Sequence, residues 1–289
     1  MSSISPTPSA LSRLNKFPCN ELAYESQTQS LYQINLYTGA YSLVGTANFL
    51  PDAVNALAYH PGDNYLYAVA QRSNAYGYIV RIGTNGTFET VPGGVIIQTG
   101  IGNPVPNSMT SGTIDSNLIY WLAAANGFNY VMVDLNPGSS TYGTVIGNGT
   151  TGMELAAPPQ SQYYQVNDWA VLGGYTERIY AVAGQPLGNN AYDTHLLYWN
   201  TTSKAWSKLQ TYSGLYGDTG TNGVAGKASW GAMYSTADGY IYATENWSGR
   251  IFKFNVVNVT SSAYSFVSQG PAGLTNDGAR CSSGPPVGP

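Results

Sequence analysis

The chain has 289 residues, of which only 9% are charged, and its formal net charge is −4. An average soluble protein has about 25% charged residues. The 11 Lys and Arg residues form no cluster that could neutralise phosphate groups, which excludes nucleic acid as a partner. No apolar run approaches the roughly 20 residues of a transmembrane helix, so we expect no membrane span.

The residue types that are in excess are those of β-sheets and turns. Gly (34 residues) and Tyr (24 residues) are abundant, whereas helix formers such as Lys, Glu and Met are scarce. Tyr, Val, Ile and Thr suit a pleated, half-buried surface, and Gly, Asn and Pro favour turns. The composition therefore predicts an all-β protein, and the length allows one large domain with a sizeable core.

A repeated unit of four short alternating runs, separated by Gly, Asn or Asp turns, predicts antiparallel meanders. The runs lie at 54–59, 65–69, 78–82 and 88–91; at 118–122, 130–135 and 142–145; at 166–171, 179–182, 195–199 and 205–209; and at 229–234, 240–244, 251–254 and 263–267. The second unit takes its first strand from the segment 99–113, with Asn107 as the anchor and several registers open.

The two ends of the chain complete a fifth unit. Runs at 22–25, 31–36 and 41–44 match second, third and fourth strands, and the missing first strand matches 276–281. Radial repeats close in this way without leaving open sheet edges. The sequence thus predicts a five-bladed β-propeller over residues 19–281, with one blade shared by both ends. We expect residues 1–18 and 282–289 to be disordered Ser/Pro-rich and Ser/Gly/Pro-rich tails.

Several features indicate a secreted protein. Cys19 and Cys281 both fall in the shared blade, which predicts a disulfide between them; two free buried thiols are the alternative. Residues 1–16 contain no apolar signal-peptide region, so we expect that one was removed and that Met1 was added for expression. Candidate N-glycosylation sites, which would agree with a secretory origin, occur at Asn85, Asn148, Asn200, Asn246 and Asn258.

These motifs resemble a known family. The matching stretches are Leu31-Tyr32-x-Ile34 with Thr38-Gly39, Asn55-Ala56-Leu57 with Asp63-x-Tyr65-Leu66-Tyr67, and Asn276-Asp277-Gly278-Ala279-Arg280-Cys281. Together they are similar to secreted bacterial and fungal proteins of unknown function with a propeller-like repeat. The resemblance covers about residues 19 to 281 and implies the propeller fold and an extracellular location. It implies no activity and no catalytic residues.

Strict catalytic signatures are missing from the sequence: it has no G-x-S-x-G elbow, no H-E-x-x-H and no P-loop. Of the two histidines, we expect His60 to be a solvated turn residue and His195, at the start of a third strand, to be structural. A histidine metal cage or a Ser-His-Asp triad is therefore not predicted, and we expect no resident cofactor.

The candidate site is one mouth of the central channel, where the first strands of the five blades begin. These starts are Asn55, Asn107, Asn167, Ser229 and Asn276, with Asp168 and Asp277 beside two of them. Their oxygens could bind calcium in the channel or hydrogen-bond sugar hydroxyls. In the alternative interpretation, they satisfy turn backbone groups and channel water.

The longest connections should gather on the same face as this mouth. They are the segments 71–77, 91–106, 147–165, 184–194 and 212–227. Trp169 and Trp230 lie near strand starts and could stack on pyranose rings. Function usually resides on loops held by a rigid scaffold, so we place the site on this long-loop face.

The leading functional hypothesis is a secreted, non-enzymatic glycan-binding module with one central site. Its candidate ligand-binding residues are Asn55, Asn167, Asp168, Trp169, Trp230, Asn276 and Asp277. One alternative is a glycoside hydrolase or polysaccharide lyase that uses carboxylates from Asp168, Asp277, Asp218 or Glu245. Another is a structural or adhesive extracellular surface protein without a small-molecule ligand.

Overall fold

The computed structural model describes residues 14–50, 52–72, 76–91, 96–98, 109–124, 129–150, 164–175, 177–188, 191–213, 215, 228–273 and 275–288. In this part of the chain 21 strands build five antiparallel sheets, and no residue lies in a helix. The sheets are arranged as a five-bladed β-propeller, which confirms the predicted fold class. None of the described segments is a helix of the length and apolarity that a membrane span requires.

The closing blade combines both ends of the chain, as predicted. Its strands are β1 (Leu22–Gln27), β2 (Ser30–Asn35), β3 (Tyr41–Leu43) and β21 (Asn276–Arg280). They pair in the order β21-β1-β2-β3, so the C-terminal strand is the innermost. The register sets Gln27 opposite Asn276 and Glu25 opposite Gly278.

The other four blades follow in chain order, each with its first strand innermost. The second blade comprises β4 (Val54–Tyr59), β5 (Leu66–Arg72), β6 (Tyr76–Ile82), β7 (Phe88–Thr90) and β8 (Ile96–Gln98), which also pairs with β6. The third comprises β9 (Met109–Ile114), β10 (Ile119–Ala124), β11 (Asn129–Asp134) and β12 (Val145–Thr150). The fourth comprises β13 (Ala170–Val171), β14 (Arg178–Gly188), β15 (Ala191–Asn200) and β16 (Ala205–Ser213). The fifth comprises β17 (Trp230–Tyr234), β18 (Tyr240–Glu245), β19 (Arg250–Asn255) and β20 (Tyr264–Gln269).

The five inner strands β21, β4, β9, β13 and β17 surround the axis closely enough to leave almost no channel. Residues from all five line a central cavity of only about 10 Å³, roughly the space of one water molecule. Gly278 permits the approach of β21 to β17, because a Cβ there would lie 2.7 Å from the backbone N and O of Met233. We call this region, where inner strands touch across the axis, the hub.

Three strand predictions are wrong. Of the run 166–171, only Ala170–Val171 forms a strand, β13. The run 142–145 is not the fourth strand of the third blade, because a turn continues through Gly143, whose N–H donates to Asp134 O, and β12 begins only at Val145. The segment 184–194 is not a loop: β14 and β15 extend as a ladder to the pair Gly188 and Ala191. Asn107 lies outside the described residues, and β9 begins at Met109.

The tails are shorter than predicted. Phe17 is 2% exposed and packs edge-on against Tyr24 at 4.6 Å between ring centroids, so the propeller begins before Cys19. After Cys281, Pro285 O accepts a hydrogen bond from Arg280, and Val287 packs on a buried apolar cluster. Phe17 thus holds the segment before Cys19 against the blades, and the contacts of Pro285 and Val287 hold the segment after Cys281. Residues 1–13 and 289 lie outside the described part.

The predicted disulfide is present between Cys19 and Cys281, with 5.3 Å between their Cα atoms. It joins Cys19, three residues before β1, to Cys281, the residue after β21, and so links the two strands whose pairing closes the ring.

Replacing both cysteines with serine should lower the free energy of unfolding by about 2–5 kcal/mol, the usual cost of losing a native disulfide. Urea unfolding followed by tryptophan fluorescence measures the loss, and circular dichroism should show the same β-sheet content. An unfolding free energy equal to that of the wild type would contradict the conclusion that the disulfide stabilises the closing blade.

Candidate functional site

The inner-strand starts converge on one end of the axis, which we call the upper mouth, defined by Asn55, Asn167, Ser229 and Asn276. Nδ2 of Asn167 donates to Oγ of Ser229 at 3.2 Å, which joins the fourth and fifth blades. Nδ2 of Asn246 donates to the same oxygen at 3.3 Å. Oδ1 of Asn55 accepts its neighbour's N–H, from Ala56, at 3.1 Å. Of the four residues that define the upper mouth, Asn167 and Ser229 thus bind each other and Asn55 binds the adjacent backbone.

Asp168 lies at the hub and is wholly buried. Its Oδ1 accepts the N–H of Trp169 at 2.7 Å. Its Oδ2 accepts the N–H groups of Met233, at 2.6 Å, and Gly278, at 3.3 Å. One carboxyl group therefore binds backbone donors from the fourth, fifth and closing blades.

Asp277 is also wholly buried, and Oδ2 accepts the N–H of Leu57 at 2.6 Å. That N–H is free because β4 bulges: Asn55 pairs with Val69 and Ala58 with Tyr67, and Ala56 adopts a φ of 58°. The Asp277 side chain thus bridges the closing blade to the second blade.

Asp168 and Asp277 are neighbours at the hub, because Oδ2 of Asp168 accepts the N–H of Gly278, the residue after Asp277, and we call them the carboxyl pair. Burial raises the pKa of both groups well above its usual range, and the neighbouring charge of Asp168 raises the pKa of Asp277 further. Two neighbouring buried carboxylates repel each other when both are charged, and a proton on one of them would remove this repulsion and let it donate a hydrogen bond to the other.

Glu25, which the sequence did not single out, is a third wholly buried acid. Its oxygens accept from Tyr234 Oη at 2.6 Å and Gln27 Nε2 at 3.0 Å. Burial raises its pKa to about 7, although these hydrogen bonds oppose the shift. Nothing in the sequence marks Glu25 as buried, and only the structure shows that both faces of the run Ala23 to Ser26 are covered.

Trp169 and Trp230 do not offer a free ring face, so the expectation that they stack on sugars is wrong. Both are 0% exposed. Trp169 packs against Trp206 at 6.0 Å, and Trp230 meets Phe254 at 5.5 Å, between ring centroids. Their size and apolar area make them core residues between blades.

Asn276 stands apart from the other amides of the upper mouth. It is 4% exposed, yet neither Oδ1 nor Nδ2 has a hydrogen-bond partner. Oδ1 of Asn246 and Oγ of Ser26 are also buried without partners. Buried polar atoms are almost always paired. These atoms have unused capacity for a water molecule or a ligand.

Both histidines serve the fold within the described region. His60, expected to be solvated, is instead 0% exposed. Its Nε2 donates to Leu135 O at 3.0 Å, and Nδ1 accepts the N–H of Gly62 at 3.2 Å, which links the second and third blades. His195 lies inside β15, with Nε2 2.9 Å from Gln185 Oε1; burial lowers its pKa to about 4.

The hub does not fit calcium. Three of the four oxygens of the carboxyl pair already accept backbone N–H groups, which a cation would have to displace. Among the described residues no group of three or more His, Cys, Asp and Glu could hold a metal ion. Glu245 is buried and accepts from Ser248 Oγ at 2.7 Å, and Asp218 lies outside the described residues. Most of the predicted long loops also lie outside them.

The candidate glycosylation sites differ in exposure. Asn85, Asn148 and Asn258 are exposed, whereas Asn200 is half-buried and its Oδ1 accepts turn N–H groups. Asn246 is 7% exposed and donates through Nδ2, so the folded protein leaves no space for a glycan there.

The chain belongs to the family described as "Repeat of unknown function (DUF6923)", whose model matches residues 21–283. No protein of curated function matches the sequence.

Similar solved structures include a streptogramin B lyase, with 13% identity over 92% of this chain and 73% of that chain and a TM-score of 0.42. A putative 6-phosphogluconolactonase from Bacteroides uniformis has 12% identity, coverages of 86% and 81%, and a TM-score of 0.45. A periplasmic gluconolactonase from Pseudomonas aeruginosa has 12% identity, coverages of 88% and 70%, and a TM-score of 0.44. Similarities this distant say nothing about activity or substrate.

Replacing Asp168 with alanine should lower the free energy of unfolding by about 3 kcal/mol or more, because buried N–H groups of Trp169, Met233 and Gly278 lose their acceptor. Urea unfolding measures the change. The control is Glu177→Ala, at an exposed carboxylate, which should stay within about 0.5 kcal/mol of the wild type. Equal stability of the two variants would contradict the hub.

Proposed function

We propose that the protein is a secreted, non-catalytic binding module that takes a glycan at the upper mouth. The observation that supports the proposal is the side chain of Asn276, whose buried amide has both a donor and an acceptor unused. Leaving such a group unpaired costs about 1–3 kcal/mol. A carboxamide offers its donor and acceptor side by side, and sugar hydroxyls can use both.

Other groups of the upper mouth surround this amide. A Cβ on Gly273 would lie 2.2 Å from Asn276 Oδ1 and 2.8 Å from Gln27 Nε2, so these three residues meet. The N–H of Gly273 donates to Asn246 O at 3.0 Å, which brings in the fifth blade. Among the described residues, the groups beside Asn276 therefore include the uncharged side chains of Gln27, Asn246 and Ser26.

Binding is favoured over glycoside hydrolysis by the state of the carboxyl groups. Glycosidases place two carboxyl groups about 5–5.5 or 6.5–9.5 Å apart across the sugar. The carboxyl groups of Asp168 and Asp277 are wholly buried and accept backbone N–H groups of the inner strands, which leaves no space for a sugar between them. The Cys19–Cys281 disulfide is consistent with an oxidising, extracellular location.

A glycan array tests the proposal. We expect at least one saccharide to bind, and to bind equally with and without EDTA, because the site needs no cation. Asn276→Ala should weaken that binding about tenfold or more, the loss of roughly one to two hydrogen bonds, with little change in the melting temperature because Asn276 has no partner to lose.

The matched control is Gln33→Ala, which removes an amide from the outer part of the closing blade, where it donates to Ser42. Its affinity should equal that of the wild type. If Asn276→Ala binds as well as this control, the site is elsewhere. If the wild type binds no saccharide, the glycan proposal is wrong and a structural role becomes the better account.

A further inference from the structure

The carboxyl pair has an asymmetric set of partners. Asp168 receives three backbone hydrogens, on both oxygens, from Trp169, Met233 and Gly278. Asp277 receives the N–H of Leu57 on Oδ2 and only shares that of Gly278 with Asp168, and its Oδ1 receives no hydrogen from any N–H or O–H group. A carboxylate is stabilised by donors, and a protonated carboxyl is itself a donor. The negative charge therefore belongs on Asp168 and the proton on Oδ1 of Asp277.

No cation reaches the carboxyl pair among the residues packed around it. The titratable groups that face it are the hydroxyls of Tyr120, on β10, and Tyr234, on β17, and Tyr234 is bound to Glu25 of β1. Tyr120 Oη donates to Ala56 O instead of to a carboxyl group. The only cation on the inner strands, Arg280, donates to Ser235 O and Glu21 O at the other end of the hub.

We propose that Asp277 keeps its proton at neutral pH and donates it to Asp168, which makes the hub a proton-held latch that is tighter in acid than in alkali. The closing blade is then joined to the fourth blade across the axis by a hydrogen bond that exists only while the proton stays. Loss of the proton leaves two buried negative charges in contact. The latch suits a protein that works in acidic surroundings.

The pKa of Asp277 is raised in the folded state by burial and by the charge of Asp168. The folded protein therefore binds a proton that the unfolded chain loses above about pH 3.9. The resulting stability is fully present below that pH and is lost as the pH rises through the folded pKa. Each retained proton changes the unfolding equilibrium constant about tenfold per pH unit.

Two other buried groups contribute to the pH dependence. Glu25, with a pKa raised from 4.5 to about 7, adds stability that is lost as the pH rises through 7. His195, with a pKa lowered from 6.5 to about 4, adds stability that is lost as the pH falls between these values. A comparison with a variant that changes only Asp277 cancels both contributions, because both proteins share them.

Asp277→Asn supplies that comparison, because an asparagine imitates the protonated acid. Its Oδ1 can accept the N–H of Leu57 while its Nδ2 donates to Asp168. We expect this variant to fold. Between pH 6.5 and 8, the unfolding equilibrium constant of the wild type should rise with pH by about ten times more per pH unit than that of the variant, because only the wild type loses the proton of Asp277 on unfolding. Asp168→Asn should instead lower the melting temperature at every pH, because one oxygen that accepts hydrogens becomes an NH₂ donor.

Urea unfolding at several pH values measures how steeply the unfolding equilibrium constant changes with pH. Glu177→Gln is the control, and its pH dependence should follow that of the wild type. If Asp277→Asn and Asp168→Asn lower the free energy of unfolding equally, the proton is not on Asp277 and the assignment is overturned. If the unfolding equilibrium constants of Asp277→Asn and the wild type change equally with pH, the proposed proton-held latch is wrong. If Asp277→Asn does not fold, proton release by the unmodified protein decides: unfolding at pH 7.5 should release about one proton, and release of none overturns the proposal.

Discussion

The propeller depends on hydrogen-bond acceptors for the backbone N–H groups that its inner strands direct toward the axis. Leu57 and Met233 lie beside bulges of β4 and β17, and Gly278 lies on the strand that closes the ring. Buried N–H groups without acceptors cost about 1–3 kcal/mol each. The carboxyl pair supplies acceptors for all three from the axis itself, and so joins the second, fourth, fifth and closing blades at one point.

This arrangement separates the residues that hold the fold from those that have capacity to bind. Asp168, Asp277, Trp169 and Trp230 were the most suggestive site candidates in the sequence, but all four are buried, where the acids accept backbone N–H groups and the tryptophans pack in the core. Asn276, one residue before Asp277, has the opposite character, since its amide is buried and unpaired. A rigid hub directly beneath the upper mouth would hold such an amide in one position, which lowers the entropy cost of binding.

The architecture could be predicted from the sequence because it follows from local patterns. Alternating apolar residues and Gly/Asn turns located most strands, and β4 begins and ends at the predicted residues. The disulfide followed from the fact that both cysteines flank the shared blade. The fourth strand of the third blade was misplaced because Tyr142 looks like a strand residue, whereas the turn through Gly143 decides where β12 begins.

The hub could not be predicted, because its contacts depend on positions far apart in the chain. Leu57 and Asp277 are 220 residues apart. The left-handed conformation that frees the Leu57 N–H occurs at Ala56, whereas sequence analysis expects such a conformation at glycine. Burial of Trp169 and Trp230 likewise depends on neighbouring strands. His60 looked like a turn residue, and only the position of Leu135 in the next blade shows why it is buried.

Infrared spectroscopy at pH 8 tests the central claim, that one carboxyl group of the hub stays protonated, most directly. The sample should carry Glu25→Gln, so that this buried acid, whose pKa is raised to about 7, does not contribute. The account predicts a carbonyl stretch of a protonated carboxyl group that disappears when Asp277→Asn is added. A spectrum at pH 8 that contains carboxylate bands alone would contradict it.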